Sequence, residues 1–136
     1  MSVLSILIAD DEEAICFLIE QWLKPMGHSV VTAADGAIAL KLVESKKFDL
    51  VITDILMPNT DGLSLIAGLR KRQPAARVVA MSGGGRYMNS NDYLKIAQGF
   101  GADAAIIKPF SREQFMQGIG RAMAAKKDTP PPGRLE

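Results

Sequence analysis

One cysteine, one histidine and one tryptophan stand among 136 residues, and no apolar run is long. The lone Cys16 excludes an internal disulfide, and nothing has the spacing of a zinc centre. No stretch approaches the roughly 20 apolar residues that a membrane-spanning helix needs. "SILIA" at 5 to 9 is too short for the core of a signal peptide, so a reducing cytoplasm without membrane contact is the expected setting. Sixteen basic residues against fifteen acidic ones leave a formal charge of +1, which gives no broad field for nucleic acid or an anionic surface. Walker and dinucleotide motifs are both missing, and nothing suggests that the chain binds ATP itself. What remains is a chain that is 48% hydrophobic, enough to bury the core of one ordinary domain.

Apolar runs and helical periodicities alternate along the chain. "SILIA" reads as a strand, and from Glu12 the residues Ile15, Leu18, Ile19, Trp22, Leu23 and Met26 recur at helical spacing until Pro25 and Gly27. "HSVVTAA" reads as strand two, Asp35-Gly36 opens a helix carrying Ala39, Leu40 and Val43 inward, and "FDLVIT" makes strand three. Leu63, Leu65, Ile66 and Leu69 follow on a third helix, "ARVVAM" is strand four, and three glycines from Gly83 break the chain. A helix from Asp92 to Phe100 and the strand "AAII" lead to a last helix that Ser111 can cap. Five βα units with nearly continuous apolar strands predict an α/β, doubly wound parallel sheet covered on both faces, in the flavodoxin-like order 2-1-3-4-5 with five helices.

Ligands of such sheets sit beyond the carboxyl ends of the strands, at the switch between strands one and three. Strand one ends in Asp10-Asp11, strand three in Asp54, strand four in Ser82 and strand five in Lys108-Pro109. Adjacent acids after a strand also serve as helix caps, and Ser82 or Lys108 alone says little. Together they set three carboxylates, a hydroxyl and an ammonium at one rim. Such carboxylates repel unless a cation joins them, and Mg²⁺ held by carboxylates and phosphate is the usual solution. A carboxylate can then act as a nucleophile toward phosphorus while Lys108 and Ser82 hold phosphoryl oxygens.

"ADDE" at 9 to 12, "TDILMPNTDG" at 53 to 62, "MSG" at 81 to 83 and "KPF" at 108 to 110 give the chain, over residues 4 to 125, a close resemblance to the receiver domain of bacterial two-component response regulators. The resemblance implies that Asp54 accepts a phosphoryl group from a phosphohistidine on a sensor histidine kinase or histidine phosphotransfer protein, and that the product changes binding to a downstream protein. It implies Mg²⁺ ligation by Asp11, Asp54 and the Leu56 backbone carbonyl, with Asp10 acting through a bound water. It also implies a cis peptide at Pro109.

Three departures stand beside it. Ala105 occupies the place of the usual aromatic in strand five and Ser82 that of a threonine, so the familiar rotamer switch is not carried over. The segment "GGGRYMNSNDY" is about four residues longer than typical, with Arg86, Tyr87 and Tyr93 as candidates to order it. Leu56 and Gly84 offer no polar group to a hydrolytic water, which predicts a slowly hydrolysing phosphoryl group. A phosphorylation-independent interaction module is the alternative reading, and a phosphatase with an aspartate nucleophile is weaker because Leu56 takes the place of its second acid. His28 is expected at a strand end or surface, Cys16 as inert packing and Trp22 in the core. The domain is expected to span 1–126, with the proline-rich 127–136 a disordered tail or the start of a linker.

Overall fold

The computed structural model describes residues 3–57, 59–83 and 90–125, save the side chains at 90, 91, 93 and 94. Residues 84–89 of the longer segment after strand four, with Gly84, Arg86 and Tyr87 among them, lie outside those residues, as do Pro58, the Tyr93 side chain and the proline-rich tail. Five parallel strands, β1 (Ser5–Ala9), β2 (Ser29–Ala33), β3 (Leu50–Asp54), β4 (Arg77–Ser82) and β5 (Ala104–Ile107), form one sheet in the order β2-β1-β3-β4-β5. The helices are α1 (Glu13–Leu23), α2 (Gly36–Ser45), α3 (Gly62–Arg72), α4 (Ser90–Phe100) and α5 (Arg112–Ala124). This is the predicted doubly wound fold.

Alternation along each strand divides the core in two. Leu7, Ala9, Val51, Val78 and Ala80 face α2, α3 and α4, where Ala39, Val43, Leu65, Ile66, Leu69 and Ala97 close over them. Ile6, Ile8, Leu50, Ile52, Val79 and Met81 face α1 and α5, against Cys16, Ile19, Leu23, Phe115 and Ile119. Side chains buried on both faces explain why the strands read as unbroken apolar runs. β2 departs from that reading, because it lies at the sheet edge and only Ala33 of its five residues is buried.

Helix α1 buries Cys16, Ile19 and Leu23, while Leu18 and Met26 from the expected stripe are exposed. A single 3-10 turn, Lys24–Met26, follows it and ends at Gly27 with φ 93°. His28 directly precedes β2, at a strand end as expected, but is buried rather than on the surface, and its Nδ1 accepts from the Leu4 amide at 3.0 Å. Trp22 is half-buried against Phe110 and Phe115, with ring centroids 6.1 and 5.3 Å away. Ser111 caps α5 as predicted, accepting from the Gln114 amide while the Gln114 side chain accepts from the Ser111 amide, a reciprocal capping box. No helix among the described residues is long and apolar enough to cross a membrane.

Candidate functional site

β1 and β3 pair directly, which puts Asp10 and Asp54 side by side where the two central strands end. Two glycines let the surrounding loops close in. A Cβ on Gly62 would lie 2.1 Å from the Asp54 carbonyl oxygen, and one on Gly36 would lie 1.6 Å from that of Thr60. No other residue permits either approach, so α3 begins directly against the end of β3 and the N-terminus of α2 sits against the β3–α3 loop. Asp35 fastens this corner. Its side chain caps α2 through the Ile38 amide at 2.8 Å and accepts from Asn59 Nδ2 at 2.8 Å. Those two contacts hold its carboxyl below the usual range.

β4 and β5 bring the remaining parts. Ser82 is buried at the end of β4, and its carbonyl accepts from the Lys108 amide at 2.8 Å. Lys108 follows β5 and is joined to Pro109 by a cis peptide bond, as the resemblance implies. Its ammonium reaches back across the sheet edge to Asp10 Oδ2 at 2.8 Å, Glu12 Oε1 at 3.2 Å and Asp54 Oδ2 at 3.4 Å. Asp10 Oδ1 meanwhile accepts from the Glu12 amide at 2.9 Å. Asp10, Asp54, Ser82 and Lys108 thus converge as the strand order required.

Asp11 and Leu56 are placed differently. Asp11 is exposed and outside the group of ligand-spaced oxygens, although its charge contributes to the environment of Asp54. Leu56 lies in the loop after β3 with its side chain exposed. Glu12 joins the cluster instead. One carboxylate oxygen each from Asp10, Glu12 and Asp54 lie within 4.8 Å of one another. The only sequence sign of this was the last letter of "ADDE", where an acid at the start of a helix already has a sufficient reason in the macrodipole.

Burial sets the electrostatics. Asp54 is raised from 3.8 to about 6, first by desolvation and then by Asp10 and Asp11, against the pull of Lys108. Asp10 is raised as well, burial outweighing its contact with Lys108. Burial alone would lower the Lys108 ammonium, but its contacts with Asp10, Asp54 and Glu12 hold it above the ordinary lysine range. Among the described residues one cation therefore faces three carboxylates. Asp10 Oδ2 is buried without an aligned hydrogen-bond donor, although Lys108 lies near it. An excess of hard oxygen donors that the Lys108 ammonium alone does not balance fits a small divalent cation. Cys16 has its thiol raised to about 11 by burial and by Asp10 and Glu20, and its Sγ approaches the Asp10 carbonyl at 3.4 Å. That is a packing role.

A βα sheet with carboxylates spaced for a cation at its switch point, and a lysine crossing to meet them, defines the class of domain. Comparison with known proteins makes it particular: residues 6–120 match the response regulator receiver domain, and the chain belongs to that family. It is 34% identical over 131 residues to the DNA-binding transcriptional regulator NtrC of Azospirillum brasilense, covering 96% of this chain and 26% of that protein. It is also 34% identical over 106 residues to the alkaline phosphatase synthesis transcriptional regulatory protein PhoP of Bacillus subtilis, covering 78% of this chain and 42% of that one. The chain thus spans less than half the length of either of these curated relatives.

Solved structures agree. A CheY-like receiver domain protein from Methanospirillum hungatei superimposes with a TM-score of 0.78 at 29% identity, covering 88% of this chain and 92% of that one. A response regulator from Burkholderia pseudomallei, determined with a phosphorylated aspartic acid, a calcium ion and citrate, gives 0.74 at 32% identity over 84% of this chain and 65% of that one. Receiver domains bind a divalent metal at an acidic pocket and interact with kinases and downstream effectors.

Proposed function

We propose that Asp54 is the phosphoacceptor of this receiver domain. The observation that carries the reading is the Lys108 ammonium crossing from β5 to within 3.4 Å of Asp54 Oδ2, at the switch point of the sheet. An Asp54 oxygen attacks phosphorus, a P–O bond forms as the P–N bond to a donor histidine breaks, and the bond's electron pair leaves with the imidazole nitrogen, which takes up a proton. Asp54 must be ionised to attack, and a value of about 6 leaves it mostly so at neutral pH. Lys108 balances the charge gathering on the phosphoryl oxygens, and Ser82 offers them a hydroxyl. Asp10, Asp11 and Asp54, with the Leu56 backbone carbonyl, would hold Mg²⁺, which when bound supplies positive charge against the acceptor and phosphoryl oxygens.

The donor is a sensor histidine kinase or a histidine phosphotransfer protein, and the phosphorylated domain changes its affinity for a downstream protein in the cytoplasm. The receiver unit is taken to end near residue 126. Incubating the chain with a small acyl phosphate and Mg²⁺ should add one phosphoryl group by intact mass. No addition in wild type that is folded and binds Mg²⁺ would favour a phosphorylation-independent interaction module.

A further inference from the structure

Glu12 has no part of its own in the acceptor chemistry beyond a share in the acidic cluster, yet it is placed as if it had one. It is the N-cap of α1, a position that favours Ser, Thr, Asp or Asn because a short side chain can accept from the first free amides. The Glu12 side chain makes no such bond. It turns across the crevice to Lys108 Nζ at 3.2 Å, a partner 96 residues away. A helix start has given up its side-chain cap, and the group that could have supplied it is spent on the site's cation.

The three contacts of Lys108 are unequal. Asp10 at 2.8 Å and Glu12 at 3.2 Å lie closer than Asp54 at 3.4 Å, so the resting ammonium is held mainly by the β1–α1 loop and only at longest range by the acceptor. Holding a phosphoryl oxygen requires it to let go of something. The Asp10 side chain is fully buried, with 0% exposure, and separating it from a cation is costly. Glu12 is 60% exposed and can turn into water. It is the contact that yields.

We propose that Glu12 is a positioning residue that restrains Lys108 in the resting domain and thereby weakens the site's hold on a phosphoryl group. This rests on the reading of Asp54 as acceptor. Glu12 does so by competing for the ammonium, and loss of its charge frees Lys108 for the phosphoryl oxygens.

The test titrates beryllofluoride, a phosphoryl mimic, into the full chain at saturating Mg²⁺ by calorimetry. Wild type, Glu12→Gln, Lys108→Ala and the double variant are compared, with Mg²⁺ affinity measured separately without fluoride. Glu12→Gln should bind the mimic about three-fold tighter, the scale of one exposed ion pair, with Mg²⁺ affinity not reduced. In the Lys108→Ala background the same substitution should change nothing. Unchanged or weaker binding by Glu12→Gln overturns the proposal. So does a gain that persists without Lys108, because Glu12 would then repel the anion directly. So does a fall in Mg²⁺ affinity that accounts for the change, because Glu12 would then serve the ion. If wild type binds Mg²⁺ but no mimic, the acceptor reading falls and the proposal with it.

Discussion

Replacing Asp54 by asparagine should make the metal-free protein more stable, although it removes a contact with Lys108. The Asp54 side chain is 10% exposed, and burial raises its carboxyl from 3.8 to about 6 even with the ammonium nearby. A carboxyl with a raised folded-state value binds its proton more readily folded than unfolded. Its neutral form therefore supports the fold fully below about 3.8, and that support is lost as pH rises through about 6. At about 1.4 kcal/mol per unit, the ionised group costs roughly 3 kcal/mol above that window. Asparagine has no charge to bury. Urea unfolding in EDTA should show Asp54→Asn more stable by about that amount at pH 8, with the difference shrinking towards pH 4. Saturating Mg²⁺ should narrow the gap at pH 8 by stabilising wild type more than the variant. An Asp54→Asn protein less stable than wild type at pH 8 without metal would show that the Lys108 pairing outweighs desolvation, and the electrostatic account of the crevice would be wrong.

Other outcomes follow from the same contacts. Ser111→Ala, which removes one half of the α5 capping box, should cost about 1 kcal/mol in urea unfolding. Gly62→Ala forces a methyl onto the Asp54 carbonyl and should cost about 1–3 kcal/mol while slowing phosphorylation, because the acceptor loop must move. Arg70 joins Asp103 at 2.8 Å and the Ala76 carbonyl at 2.6 Å, tying the end of α3 to the turns before β5 and β4. Arg70→Ala should therefore destabilise by about 3 kcal/mol, as expected for breaking a largely buried pair. Leu56, apolar and 51% exposed two residues past the acceptor, offers no polar group to water. Phosphoryl loss from the isolated protein should accordingly be slow, and a half-life of seconds would contradict this.

The meeting of Asp54, Lys108 and the buried Asp10 was legible because strand order decides which residues meet at a sheet edge, and five βα units favoured that order. The phase of α1 was not. From Ala14 to Ile19 it carries six consecutive apolar residues, so periodicity cannot choose a face, and packing on β1 and β3 selected Cys16 and Ile19 over Phe17 and Leu18. Nor could the runs separate β2 at the edge from the central strands, since Val30 and Val31 read like the interior but are half-exposed. His28 stands directly before β2, at a strand end as expected, but its burial was not legible, because its partner, the Leu4 amide, lies 24 residues earlier. Glu12 was hidden by local sufficiency, because only the return of β5 brings Lys108 beside it.

The central claim is tested most directly by locating the phosphoryl group. After reaction with a small acyl phosphate and Mg²⁺, borohydride converts an aspartyl phosphate to homoserine, and peptide mass spectrometry then reads its position. The account predicts homoserine at residue 54, absent without Mg²⁺ and absent when Asp54→Asn is treated in the same way. Homoserine at another aspartate, or phosphorylation surviving in Asp54→Asn, would contradict it.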